Sequence, residues 1–288
     1  MQLDLFTHSR DIMLQNDVIA ALRMRDPVAG KKAFAVLEPE YPLHENLAPL
    51  TTLLNVLAAP VQRSADHGDA AEKLQFLEAV VTPAANRIFG ERESGMWLAP
   101  LWRSMAEAAT GLPFNAGLPN THAAFPLLQS GDWAAAESAI AGIPSWRRIP
   151  APLAWMAEVN FHRGGLERAW HLLMELAWID ADTFNALAHR LKSPPLHKLL
   201  RVFDGAFDDE PAPGHAWFPA WLLVTAPAMA TVLRETQTCN GKAPERTARL
   251  IAELLALEKQ GRHADIVARR KTFRDLHAGL YGIYIASR

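Results

Sequence analysis

The sequence predicts an all-α protein built from antiparallel helical hairpins. Alanine is abundant, apolar side chains recur at helical spacing, and the alternation of apolar and polar residues that is typical of strands is nearly absent. The twenty prolines are spread between the helical segments, where they end one helix and precede the next. The breaks between segments are short, which favours antiparallel neighbours.

Local signals predict where each helix begins and ends. Ser9 is a good N-cap residue for a first helix that ends before Asp26-Pro27, and Pro39 and Pro60 end the second and third helices. Asp69 is a suitable N-cap residue for the fourth helix. The predicted segments, in order, are 9–25, 28–37, 44–58, 69–81, 94–110, 121–129, 132–142, 151–163, 165–178, 181–192, 196–203, 215–225, 228–237, 244–259 and 262–278.

Composition limits the classes of protein that the chain resembles. Of its 288 residues, half are hydrophobic and 21% are charged, which excludes an intrinsically disordered protein. The 29 basic and 31 acidic residues leave a net charge of -2, so bulk charge gives no reason to expect binding to nucleic acid or anionic membranes. The single cysteine excludes an internal disulfide. It indicates a reducing, cytoplasmic location.

Two segments bear on targeting and membrane insertion. Asp4, Asp11 and Asp17 interrupt the first 25 residues, so we expect no secretory signal. The stretch 211–233 carries no charged residue and is long enough to span a bilayer. Because four prolines divide it, we expect two short buried helices that break near Pro227, and no membrane association.

The chain shows no strong domain boundary. We expect a single helical domain over residues 9–288, preceded by an N-terminal arm at residues 1–8. The segment 204–214 reads DGAFDDEPAPG, a composition that is typical of an exposed linker.

Three glycines share a pattern that predicts tight turns between helices. Each of Gly131, Gly164 and Gly261 is followed two positions later by a large residue and five positions later by a small or apolar one. Glycine adopts the left-handed turn conformation cheaply, and the small residue lets the two helices approach. The first and second glycines are 33 residues apart, and the second and third are 97 residues apart.

This spacing resembles the tetratricopeptide repeat, a helix–turn–helix unit of about 34 residues. The resemblance covers residues 127–178 and 249–273. It implies a solenoid of antiparallel helical hairpins, in part irregular, whose groove binds peptides or partner domains. The alternative is a non-repeating helical bundle in which glycine only caps helices.

The pentapeptide at residues 2–6 is the most specific motif in the chain. It reads Gln2-Leu3-Asp4-Leu5-Phe6 and resembles the motif through which many bacterial proteins bind the sliding clamp of DNA polymerase. The resemblance implies that Gln2 forms hydrogen bonds in one subsite and that Leu5 and Phe6 enter an apolar cleft. There are two alternatives: a chance match, and core packing of Leu3, Phe6 and Met13 on one face of a longer first helix.

A cluster of basic residues lies on the last predicted helix. It is a candidate contact for DNA phosphates or for an acidic partner, and the alternative is a solvated outer helix face. If the cluster contacts DNA, we expect the basic surface to continue into a second strip at Arg147 and Arg148. The members of the cluster are Arg262, Arg269, Arg270, Lys271 and Arg274.

No catalytic, metal or cofactor motif is recognisable. The pairs His162/His171 and His189/His197 lack the spacing that places two metal ligands on one helix face, and Cys239 lies in a polar loop sequence. The sequence therefore favours a non-enzymatic module whose partner is a protein or peptide, with the sliding clamp as the specific candidate. The alternatives are a helical enzyme with a closed pocket near His162, His171 or His189, and a DNA-contacting helical protein.

Overall fold

The computed structural model describes the backbone of residues 3–207 and 214–288, and the side chains from residue 10 onward within those ranges. All regular elements in these ranges are helical, so the predicted all-α class is confirmed. None of the described helices is both long enough and apolar enough to cross a membrane.

The chain groups into two compact units, Met1–Ala139 and Ile140–Arg288. The boundary falls inside a helix and not in the predicted linker, of which residues 208–213 lie outside the described ranges. At the ends of that linker, the Oδ1 atom of Asp204 lies 3.4 Å from Nε2 of His215. The single helical domain over 9–288 stays a prediction.

The first unit is a succession of helices with one wide turn and one short 3₁₀ turn. A π-helical turn at Leu77–Val81 leads from the fourth helix into the fifth. The helices are α1 (Leu3–Arg23), α2 (Pro27–Glu40), α3 (Leu47–Ala58), α4 (His67–Phe76), α5 (Thr82–Ala108), α6 (Ala124–Gln129) and α7 (Trp133–Ala141), which continues past the boundary.

A tryptophan fixes the end of α1 in the first unit. The indole N–H of Trp97 donates to the carbonyl of Leu22 at 2.9 Å, and Arg25 donates back to the carbonyl of Trp97 at 2.8 Å. The Arg25 guanidinium also lies over the Trp97 ring, 5.3 Å from its centroid. These contacts satisfy groups at the C-terminal end of α1 and attach it to α5.

The second unit is built around one long, interrupted helix, α8. Its tryptophans Trp155, Trp170 and Trp178 are at most 7% exposed, which agrees with core packing at these positions. The helices are α8 (Pro150–Ile179), α9 (Ala181–Arg190), α10 (Pro194–Asp204), α11 (Phe218–Thr225), α12 (Ala243–Gln260), α13 (His263–Leu276) and α14 (Ala278–Ala286).

Several boundaries differ from the sequence prediction. α1 begins at Leu3 and not near Ser9. The predicted helix 228–237 is a 3₁₀ helix, Pro227–Glu235, although the break near Pro227 is confirmed. The tail after residue 278 forms α14, whose Leu280 and Tyr284 are fully buried. Tertiary packing of an apolar face stabilises a helix that local signals did not show.

Two of the three predicted glycine turns are confirmed in their backbone geometry, since Gly131 and Gly261 have φ angles of 75° and 68°. At the other turn the prediction was one residue off: Gly164 has a φ of -156°, and its neighbour Gly165 adopts the left-handed conformation at φ 70°. The residues that the pattern placed five positions after the aligned glycines are buried, and they are Ala136, Ala169 and Ile266. Gly90 makes a similar break within α5, at φ 73° and ψ 159°, which the sequence analysis missed.

The backbone conformation of Gly165 is one that other residues rarely adopt. Its φ of 70° and ψ of −168° lie in a region that is essentially limited to glycine, and a Cβ atom there would meet no other atom within 4 Å. We therefore expect Gly165→Ala to lower the free energy of unfolding by about 1–3 kcal/mol through backbone strain alone. Denaturant unfolding followed by circular dichroism measures this change.

The matched control is Gly95→Ala, because Gly95 is an exposed residue of α5 that also has no atom within 4 Å of an added Cβ. Because the backbone of Gly95 is helical, we expect alanine there to raise the free energy of unfolding by up to about 1 kcal/mol. Equal effects of the two substitutions would contradict the strain assigned to Gly165.

Candidate functional site

The sequence-predicted pentapeptide lies at the start of α1. The backbone of Leu3–Phe6 is helical, whereas Gln2 and the side chains of residues 1–9 lie outside the described part of the structure. The helix thus starts six residues earlier than the predicted Ser9 cap. The arm at residues 1–8 stays a prediction.

The described side chains of α1 become buried only in its second half. Ile12 and Met13 are 55% and 65% exposed, and the first buried side chain after residue 9 is Val18. Nearer the start of the helix, Arg10 forms a two-pronged ion pair with Glu40, the last residue of α2, at 2.7 and 2.8 Å. Because both partners are partly solvated, this pair contributes little to stability.

A buried carboxylate, Glu175, organises the polar centre of the second unit. Its side chain is fully buried on α8 and accepts hydrogen bonds from Nε and Nη2 of Arg147, at 2.7 and 2.6 Å. It also accepts the backbone N–H of Gln237 at 2.6 Å. Arg147 donates in addition to the carbonyl of Glu235 at 2.9 Å. A buried charge is tolerated when it is paired in this way.

A second buried carboxylate, Glu245, holds the loop at residues 236–242. It accepts the backbone N–H groups of Cys239, Asn240 and Gly241 at 2.8–2.9 Å, and Arg249 pairs with it at 2.9 Å. Burial by itself raises the pKa of Glu245, but these hydrogen bonds outweigh burial and lower the pKa below its usual range. Four backbone N–H groups of the irregular loop therefore donate to the carboxylates of Glu175 and Glu245.

This network was not found by sequence reasoning, although one signal for it exists. Glu175 lies in the apolar run Leu172–Trp178, where an acidic side chain requires a buried partner. The partners themselves are not readable, since Arg147 and Gln237 are 28 and 62 residues away.

Cys239 lies between the two carboxylates and is not activated as a nucleophile. Burial, followed by the negative charges of Glu175 and Glu245, raises the pKa of the Cys239 thiol to about 12. A reactive cysteine requires the opposite shift, because the thiolate is the nucleophile. The arrangement around Cys239 thus keeps a protonated thiol.

The three histidines proposed for an enzymatic pocket occupy separate local environments. Burial lowers the pKa of His162 and of His171. Nδ1 of His189 lies 2.9 Å from the carbonyl of Asn185 in its own helix, and its ring stacks on His197. None of the three lines the main cavities of the described structure. Within the described residues, no group of three or more potential ligands is arranged to hold a metal ion.

The predicted basic cluster is partly neutralised by acidic residues of the same unit. Arg262 pairs with Asp265 at 2.6 Å and Arg269 with Glu253 at 2.9 Å. Arg270 pairs with Glu258 at 3.2 Å.

Two exposed members of the cluster are left unpaired among the described residues. Lys271 and Arg274 have no ion-pair partner among the described side chains. Both arginines of the suggested second strip are engaged within the unit. Arg147 binds the buried Glu175, and Arg148, although exposed, donates to the carbonyls of Thr238 and Cys239. The phosphate-binding role of the cluster stays a prediction.

No protein-family model, curated protein or solved structure matches this chain.

The structure predicts that Glu175 is a principal stabilising residue of the second unit. Glu175→Gln removes the charge that pairs with Arg147, and we expect the free energy of unfolding to fall by about 3 kcal/mol. Glu253→Gln is the matched control, because Glu253 pairs with Arg269 in an exposed position. Its expected loss is below about 1 kcal/mol. Equal losses in denaturant unfolding would contradict the role of Glu175.

The raised pKa of Cys239 predicts slow alkylation at mildly alkaline pH. An ordinary thiol, with a pKa of about 8.5, is partly ionised at pH 8, so unfolding in urea should accelerate reaction with iodoacetamide on the order of a thousandfold. The Cys239→Ser variant should not react with iodoacetamide, which would identify Cys239 as the residue that is alkylated. A native rate within about tenfold of the unfolded rate would refute the shift.

Proposed function

We propose that this chain is a non-enzymatic protein-binding module that is recruited to a bacterial sliding clamp by its pentapeptide. The observation that carries the proposal is the match at all five positions of the motif. These residues are Gln2, Leu3, Asp4, Leu5 and Phe6.

The exposure of α1 supports this interpretation over core packing. The core-packing alternative placed Met13 on the same helix face as Phe6, and Met13 is 65% exposed. Residues seven positions apart in a helix share a face, so that face does not point into the core at Met13. The terminal turns of a helix also unwind at low cost, since their first N–H groups have no partner within the helix.

The expected strength of this interaction is modest. Burial of Leu5 and Phe6 in an apolar cleft contributes about 3–6 kcal/mol before the cost of ordering the segment. A single motif should therefore bind with a Kd in the micromolar range or weaker, which corresponds to a binding free energy no stronger than about -8 kcal/mol. The clamp is a ring with repeated sites, so an oligomer of this chain would gain affinity through avidity.

The finer architecture that we propose is a tetratricopeptide-like set of helical hairpins. The left-handed glycines Gly131, Gly165 and Gly261, each followed by a buried small or apolar residue, support this assignment. Hairpins of this kind use surfaces between helices to bind peptides, an argument by analogy of fold.

A pull-down with purified bacterial clamp tests the recruitment. We expect the wild-type protein to be retained and the double variant Leu5→Ala, Phe6→Ala to be lost, because the two apolar anchors are removed. The matched control is Ile12→Ala, Met13→Ala, which truncates two exposed apolar residues of the same helix outside the motif. This control should be retained like the wild type.

Two results would end the proposal. One is equal retention of wild type and Leu5→Ala, Phe6→Ala, since binding would then not depend on the motif. The other is no retention of either protein.

A further inference from the structure

We propose that an open groove in the second unit binds an acidic, amphipathic peptide segment of another protein. The groove has a volume of about 760 Å³ and lies between the 3₁₀ helix Pro227–Glu235 and α12. This volume is within the range of ligand-binding clefts. The groove shares no residue with the pentapeptide, so the inference is independent of clamp binding.

Small side chains on both walls leave the groove open. Ala228 and Thr231 lie on the 3₁₀ helix, and Ala252 and Ala256 lie on α12. Beneath them, Leu233 and Leu255 are only 7% and 6% exposed and complete an apolar lining. The centre of the groove therefore favours apolar side chains of a ligand.

The charged residues of the groove leave it positive. Four cations, Arg234, Arg249, Lys259 and Arg288, line it together with one acid, Glu258. Arg234 and Lys259 are exposed and have no ion-pair partner in the part of the chain that the structure describes.

The acid of the groove does not compensate these two charges. Glu258 already pairs with Arg270 and Arg288 and accepts a hydrogen bond from the hydroxyl of Tyr284. Arg249 in turn is neutralised by Glu245 outside the groove. The excess positive charge therefore lies at Arg234 and Lys259.

The contacts of α12 indicate that these two cations lie toward opposite ends of the groove. Arg249 donates to the carbonyl of Gln237 at 2.9 Å, so this part of α12 lies beside the loop that follows Arg234. Lys259 is ten residues beyond Arg249, about 15 Å further along α12. A ligand that satisfies both ends therefore carries acidic groups at both ends of an apolar segment.

This distribution favours a peptide over a nucleic acid. A helical peptide of about ten residues spans 15 Å and can present leucine or phenylalanine to the apolar centre and Asp or Glu to the ends. A nucleic acid backbone instead requires cations along its whole path, whereas alanine and leucine occupy the middle of this groove. The partner is therefore an acidic amphipathic segment.

Selection from a displayed library of random peptides of about twelve residues, on the immobilised full-length protein, tests the proposal. We expect enriched peptides to combine apolar residues with flanking Asp or Glu. The strongest is then labelled with fluorescein, and its affinity for each variant is measured by fluorescence polarisation. Affinity for the wild type should fall as salt is raised.

Arg234→Glu, Lys259→Glu is the main variant, and it should weaken binding about tenfold or more by reversing the charge at both ends. The matched control is Lys198→Glu, Arg201→Glu, which reverses one exposed lysine and one exposed arginine of α10, in the same unit but outside the groove. The control should retain the wild-type affinity within about twofold.

Ala256→Trp provides a second variant that changes no charge. Ala256 is exposed on the groove wall, so a tryptophan there fills the groove with little effect on the core. We expect this variant to lose peptide binding and to keep the helical circular dichroism spectrum of the wild type. It also keeps the proposal testable if the charge-reversal variant fails to fold.

Three outcomes would overturn the proposal. In the first, no acidic peptide is enriched. In the second, groove variants and control bind the selected peptide equally well. In the third, a single-stranded or duplex oligonucleotide binds through Arg234 and Lys259 while no acidic peptide does, which would identify a nucleic acid surface instead.

Discussion

The need to satisfy the backbone of one irregular loop constrains the second unit most strongly. Residues 236–242 connect a 3₁₀ helix to α12 without regular structure, and their N–H groups require acceptors. Glu175 and Glu245 accept four of these N–H groups from inside the unit, and Arg147 and Arg249 balance their charge. With the loop held in this way, the 3₁₀ helix lies beside α12 and the groove exists between them.

The same constraint explains why the charged centre of this unit is suited to structure and not to catalysis. Each carboxylate is already occupied by an arginine and by backbone donors, and the thiol of Cys239 is held protonated. Catalytic groups need a change of protonation state or free access to a substrate. Here the energy of pairing stabilises a loop.

The two proposed binding surfaces differ in their physical chemistry. Binding through the pentapeptide depends on apolar burial of Leu5 and Phe6. A moderate change in salt concentration affects apolar burial little. The groove depends on charge at Arg234 and Lys259, which salt screens over about 10 Å. The two activities can therefore be separated by ionic strength as well as by mutation, and each is carried by its own unit.

The sequence by itself determined the helical class, most helix positions and the glycine turns, because capping residues, prolines and helical periodicity act over a few neighbouring residues. It also contained the pentapeptide. Only the tertiary structure decided which charges are paired. Arg147 reads as part of a basic strip until Glu175, 28 residues away, is seen to neutralise it, whereas Lys259 stays exposed. Ion pairing depends on distances in space that no local sequence pattern specifies.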